Sequence, residues 1–113
     1  MENIKSKNNS VWDMYQVDLK ENTIYNIFTK AWNYRWWKKY SENKKVFIIS
    51  WKVKLISFDW EKDIEKFFKK WDFFEIKSNI PHIFYFEEDS EMIEIFPKNT
   101  KTEKFEKYYQ IKN

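Results

Sequence analysis

The sequence predicts an α+β fold: a small, single-layer, mostly antiparallel sheet with two to three helices packed on one face, in the order β-α-β-α-β-β-β-α. Three observations lead there. Two stretches space their apolar residues as helices do, five others alternate them or run apolar as strands do, and the later strands follow the second helix without another between them.

The first strand is expected over residues 10–19, "SVWDMYQVDL", where Val11, Asp13, Tyr15 and Val17 alternate with Trp12, Met14, Gln16 and Asp18. A helix is expected next, over "ENTIYNIFTKAW" (21–32). Ile24, Ile27, Phe28, Ala31 and Trp32 lie on one arc, and Asn22 or Thr23 can cap its start. Residues 44–58, "KKVFIISWKVKLISF", carry the strongest strand pattern. They place Phe47, Ile49, Trp51, Val53 and Leu55 on one unbroken face and Lys52 and Lys54 in the middle of the other. Asp59 then opens a second helix in which Trp60, Ile64, Phe67, Phe68 and Trp71 form a core-facing stripe. Glu61 and Asp63 in its first turn and Lys69 and Lys70 in its last suit the helix dipole. Short strands follow at 73–77, 82–88 and 92–96, the last two joined as a hairpin with an acidic loop, and Pro97 ends the run. Thr100 and Glu103 match a capping box ahead of a short terminal helix.

The 113 residues suit a single domain, 1–113, and no repeat or linker divides them. Neither a membrane span nor an apolar leader segment stands out, and there is no cysteine, so a cytoplasmic protein is expected. Glycine is absent, Ala31 is the only alanine and Arg35 the only arginine, as in proteins of AT-rich genomes. The seven tryptophans run against that drift. Without glycine there is no Walker loop, no dinucleotide fingerprint and no nucleophile elbow. Charge is uneven: residues 1–58 hold eleven Lys/Arg against five Asp/Glu, and residues 59–113 hold ten against thirteen. Such a dipole orients encounters with charged partners.

No constellation points to an enzyme, a metal or a cofactor. His82 is the only histidine and reads as a structural or surface residue beside Pro81. Glu87, Glu88, Asp89 and Glu91 make an acidic turn without the spacing or the glycine of a calcium loop, and stand as a secondary acidic patch. The candidate site is the run "AWNYRWWKKY" (31–40). Ala31 and Trp32 complete the apolar arc of the first helix, whereas Tyr34, Arg35, Trp36, Trp37, Lys38, Lys39 and Tyr40 offer more rings than a helix can hide beside its cations. With Lys52 and Lys54 they form a basic-aromatic surface. Stacking on bases is worth ~1–3 kcal/mol each, phosphate attraction is salt-dependent, and the same residue types build protein hot spots.

In general character the chain is similar to the short, motif-free, AT-rich proteins of phages and mobile elements, and among them to anti-CRISPR proteins. That resemblance implies a non-enzymatic inhibitor docking on a protein effector, a CRISPR nuclease with its guide RNA, through the basic-aromatic surface. Two alternatives stand beside it: a direct single-stranded RNA or DNA binder using the same patch, and an immunity or structural interaction protein using the acidic hairpin 87–94.

Overall fold

The computed structural model describes residues 4–8, 12–34, 38–50, 52–58 and 62–104. Among these residues all regular structure is extended, so the α+β expectation is corrected to an all-β architecture of two antiparallel sheets. The strands are β1 (Ile4–Asn8), β2 (Trp12–Asp18), β3 (Asn22–Thr29), β4 (Asn33–Tyr34), β5 (Lys38–Tyr40), β6 (Lys44–Ile48), β7 (Lys52–Phe58), β8 (Asp63–Lys69), β9 (Phe73–Ile76), β10 (His82–Phe86), β11 (Ser90–Pro97) and β12 (Thr102–Lys104). One sheet has the order β1-β2-β3-β11-β6-β9. The other has β12-β5-β10-β7-β8, with β4 pairing beside β5 on β10.

Both expected helices are strands. In β3 the side chains of Thr23, Tyr25, Ile27 and Thr29 face the opposite sheet, and Ile27 and Thr29 are fully buried there. Its residues are largely β-branched or aromatic, types that fit a pleated surface better than a helix. The register with β2 and β11 runs unbroken from Thr23 to Thr29, so each backbone group finds a cross-strand partner that an isolated helix would not need. In β8 and the turn after it the supposed core stripe dissolves: Phe67 is 56% exposed and Trp71 60%. Instead Phe68 stacks on Phe74 at 3.7 Å, a contact between the two sheets. The start of that expected helix, Asp59 to Glu61, lies outside the described residues, as do the expected terminal helix beyond Lys104 and Trp51. Of the capping-box residues, Thr100 precedes β12 and Glu103 lies in it, paired with Lys39.

The long strand expected over 44–58 is two strands in different sheets. Both Ile49 and Ser50 donate their N–H groups to the Glu91 carbonyl (3.0 and 3.2 Å) as the chain crosses over. The crossing reverses the phase of the alternation. Even-numbered Lys44, Val46 and Ile48 point inward from β6, whereas odd-numbered Val53 and Leu55 point inward from β7. The expected hairpin of 82–88 with 92–96 is corrected in the same way. β10 pairs with β4, β5 and β7, while β11 pairs with β3 and β6 in the facing sheet.

Between the sheets lies one main core of Ile27, Val46, Ile48, Val53, Leu55, Ile76, Phe84, Phe86 and Met92. A smaller cluster, Phe58 and Ile83 with Tyr34 and Ile56, sits on the outer face of the second sheet. Tight turns are built without glycine: Trp32, Trp71, Asn79 and Asn99 adopt φ of 61° to 76°. Asparagine tolerates this left-handed region, but tryptophan adopts it at a cost of about 1–2 kcal/mol. The Trp32 turn is secured by its N–H to the Phe86 carbonyl (2.6 Å) and by the Ala31 N–H to Asp89 Oδ1 (2.9 Å). The aromatic run thus begins with a turn, not with the end of a helix.

Candidate functional site

Strand alternation sends polar as well as apolar side chains into the interior. On β11 the inward series is Ser90, Met92, Glu94 and Phe96, and on β6 it is Lys44, Val46 and Ile48. Glu94 lies opposite Val46 and one pleat from Lys44. The Lys44 ammonium donates to Glu94 Oε2 at 2.9 Å, with the two side chains only 3% and 4% exposed. Three rings surround the same ammonium, with centroids at 4.6 Å (Tyr40), 5.3 Å (Phe84) and 5.5 Å (Phe96). All lie within the ~6 Å over which a ring face attracts a cation. A charge pair taken out of water survives only when such secondary contacts make up for lost hydration.

His82 joins this cluster from β10. Its ring is buried, lies 5.6 Å from Tyr40 and meets Phe84 edge-on at 6.0 Å. Nδ1 lies 2.8 Å from the Ile80 carbonyl, which can only accept, so Nδ1 carries the proton and Nε2 is the acceptor. Burial above all holds the imidazole pKa well below its ordinary value. The neighbouring Lys44 and Lys38 charges act in the same direction, opposed by the bond to Ile80. The unfolded chain therefore binds this proton first as the pH drops. Stability is full above the unfolded value of ~6.5 and is lost as pH falls from there toward the folded value, with a slope approaching ~1.4 kcal/mol per pH unit. Urea midpoints measured from pH 8 to 5.5 are expected to fall in the parent chain and to stay nearly level in His82→Gln. Parallel curves for the two proteins would refute the assignment.

A cavity of about 160 Å³ opens beside this cluster. Thr23 and Tyr25 of β3, Lys38 and Tyr40 of β5, Glu94 and Phe96 of β11, and Asn99, Thr100 and Thr102 beyond them line it. It far exceeds the ~10–15 Å³ that one water requires. Tyr25 is held neutral, its phenol pKa raised first by burial and then by the Asp18 and Glu94 charges. Its hydroxyl thus keeps its proton at the wall and can both donate and accept.

The expected site residues do not share one surface. On β5, Lys38 and Tyr40 turn to the interior and line the cavity, while Lys39 turns outward to Glu103 at 3.5 Å. Tyr34 packs on Tyr85 (4.5 Å) on the outer face of the second sheet, and Lys54 lies over the same Tyr85 ring. Lys54 and Lys52 are drawn to Glu65 (3.9 Å) and Glu87 (3.8 Å), and Lys52 covers Phe67. Arg35, Trp36 and Trp37 lie outside the described residues. The acidic residues are likewise built into the structure. Besides the Glu87 contact, Asp89 receives the Ala31 N–H, Glu91 receives the Asn26 amide at 3.1 Å, and the Glu88 carbonyl receives the Ser90 hydroxyl at 2.7 Å. Lys44, Glu94 and Tyr25 were not among the site residues expected from the sequence. Only the inward position of Glu94 within "MIEIF" hinted at a buried charge.

No family model and no curated protein matches the chain. Among solved structures it is similar to oxalate decarboxylases. A deletion mutant of the Bacillus subtilis enzyme superposes with a TM-score of 0.80 at 14% identity, over 90% of this chain and 30% of that one. The Lactobacillus farciminis enzyme in its formate complex gives 0.74 at 16%, over 86% and 33%. A structure concerned with the Mn(II) centres of the Bacillus subtilis enzyme gives 0.74 at 16%, over 83% and 27%. The chain spans about a third of the length of these enzymes, and the likeness shows a cupin-like β fold.

This finding corrects the expectation of an inhibitor of the anti-CRISPR type, with its nucleic-acid-binding and acidic-hairpin alternatives. The physical reason is that the described residues of the run form a turn and short strands, so no helix face gathers its rings and cations. As strands, Tyr34 and Tyr40 each have a ring partner, and the cations around them are divided between two faces. Nor do the interior residues fit a manganese ion. The single histidine has committed Nδ1 to a carbonyl, and Glu94 is held by an ammonium that would repel a divalent cation. Among the described residues no three His, Cys, Asp or Glu gather to hold a metal.

Proposed function

We propose that the protein is a non-enzymatic binding module of cupin-like fold, which holds a small hydroxyl-bearing molecule of sugar size between its sheets without a metal. The observation that carries this reading is the composition of the cavity wall. Threonine and tyrosine side chains (Thr23, Thr100, Thr102, Tyr25, Tyr40) and Asn99 surround the space, with the Phe96 ring and the Lys38 ammonium beside them. Alternating hydroxyls and ring faces suit a ligand that is polar at its edges and apolar on its faces. General acid–base chemistry needs a titratable group free to exchange its proton next to the substrate. Here Lys44 and Glu94 hold each other, and His82 is kept neutral. Those commitments favour binding over turnover, and the decarboxylation named for the structural neighbours is not carried over.

A panel of monosaccharides and sugar acids, screened by thermal shift and followed by calorimetry, tests the proposal. At least one member should bind. Tyr25→Phe, which removes one hydroxyl from the wall, should then weaken it about tenfold, the equivalent of one hydrogen bond of ~1.4 kcal/mol. Manganese-dependent consumption of oxalate, or a panel with no binder, would overturn it.

A further inference from the structure

The outer face of the first sheet, turned away from the second, is apolar across five strands. The strand register lays three rows of side chains on it. In the middle row Tyr15, Asn26, Ile93, Phe47 and Phe73 stand side by side on β2, β3, β11, β6 and β9. On one side of that row lie Val17, Ile24, Ile95, Lys45 and Glu75, and on the other Asp13, Phe28 and Glu91. Contacts within the face agree with this layout. Tyr15 meets Phe28 edge-on at 6.2 Å, Phe47 meets Phe73 at 6.2 Å, and the Asn26 amide donates to Glu91.

An antiparallel sheet with one solvated face ordinarily turns its polar side chains outward. Here Val17, Ile24, Phe47, Ile93 and Ile95 point outward, and they belong to neither core cluster of the described residues. Three large rings on the same face are open to solvent: Tyr15 is 40% exposed, Phe28 38% and Phe73 59%. Five strands at ~4.8 Å and about six residues along each at ~3.3 Å give a face of roughly 500 Å² in projection. Two such faces together cover about 1,000 Å², the size at which specific interfaces begin.

The charges at the corners select the occupant. Lys45 on β6 and Asp13 on β2 are three strands apart, about 14 Å, and two rows apart, about 13 Å. Their midpoint falls between Asn26 and Ile93, in the middle of the face. A two-fold axis lying along the other diagonal of the face therefore carries each of these residues onto the other. The strands of the two copies then cross at nearly a right angle, one of the two ways in which sheets pack. Phe28 of one copy comes over Phe47 of the other. A face with opposite charges at opposite corners is complementary to itself, as an isologous contact requires.

We propose that this face is the interface of a two-fold homodimer, in which Lys45 of each copy meets Asp13 of the other around an apolar centre that includes Ile24, Phe47 and Ile93. The interface lies on the opposite side of the sheet from the interior cavity and does not depend on what that cavity holds.

Sedimentation equilibrium of the full chain over a concentration series tests this. The mass is expected to rise from 14.3 kDa toward twice that value. Ile93→Glu, which puts a charge at the centre of the face, should leave a monomer whose strand content matches that of the parent by circular dichroism. Phe67→Glu changes an exposed ring on the outer face of the second sheet and should leave the dimer intact. Lys45→Asp and Asp13→Lys should each weaken association about tenfold, and combining them should restore it. That charge swap decides the matter even if Ile93→Glu fails to fold. A monomer at every concentration, a dimer that survives in folded Ile93→Glu, or a double swap no tighter than the single changes would each overturn the proposal.

Discussion

Lys44→Met lowers the unfolding free energy by about 3–5 kcal/mol, the expected cost of stranding one member of a buried ion pair. Glu94 would remain between the sheets without the ammonium that now sits 2.9 Å from it. The rings of Tyr40, Phe84 and Phe96, arranged for a cation, offer an anion nothing. Replacing both partners, as in Lys44→Met with Glu94→Leu, should recover most of the loss, because the desolvation cost then vanishes with the charges. The pair is therefore expected to show a large coupling in a double-mutant cycle of urea unfolding, while contributing little net stability. A single substitution costing less than about 1 kcal/mol would mean that water reaches the carboxylate and that the cavity is wetter at its floor than the burial of Glu94 indicates.

Phe84→Ala costs about 3–5 kcal/mol, the scale of large aromatic truncations in a packed core. Phe84 is 2% exposed and stands where Leu55 of β7, His82, Phe86 and Lys44 meet, so the void would open between both sheets. Trp71→Ala, in contrast, is expected to fall within about 0.5 kcal/mol of the parent, as exposed substitutions usually do. The sequence instead led to the expectation that Trp71 closes a helical core stripe, where the same truncation would be costly. Equilibrium unfolding of the two variants side by side decides it. Should Trp71→Ala prove the more damaging, the turn at Trp71 would be packed more deeply than its 60% exposure allows.

The error over helices has a definite origin. The spacing Ile24, Ile27, Phe28 fits a helical arc, but Thr23, Tyr25, Ile27 and Thr29 fit a strand equally well, and period alone does not choose between them. The choice came from neighbours: β2 and β11 offer β3 a full ladder on both sides. β-propensity is largely packing against such cross-strand partners, so it cannot be judged from one segment. The 44–58 stretch shows the converse. Its extended character was legible, yet its expected face was half wrong, because a strand that crosses to the facing sheet must reverse which parity points inward.

The candidate site divides along the same line. Lys38 and Tyr40 were picked out among the basic-aromatic residues, and both line the interior cavity. They were selected for a surface role, because alternation within a three-residue strand was not foreseen. Lys44 and Glu94 are fifty residues apart in sequence, and only the pairing of β6 with β11 brings them together.

By itself, the sequence determined that leucine would contribute little to the interior, since the chain has only Leu19 and Leu55, and that the glycine-dependent nucleotide loops are absent. These are properties of composition, and folding cannot change them. Only the tertiary structure decided that the periodic segments are strands, that Tyr40 caps a buried ammonium instead of a partner's surface, and that Thr29 lacks a hydrogen bond. Those are properties of register and of the facing sheet, and both depend on residues far away in the chain.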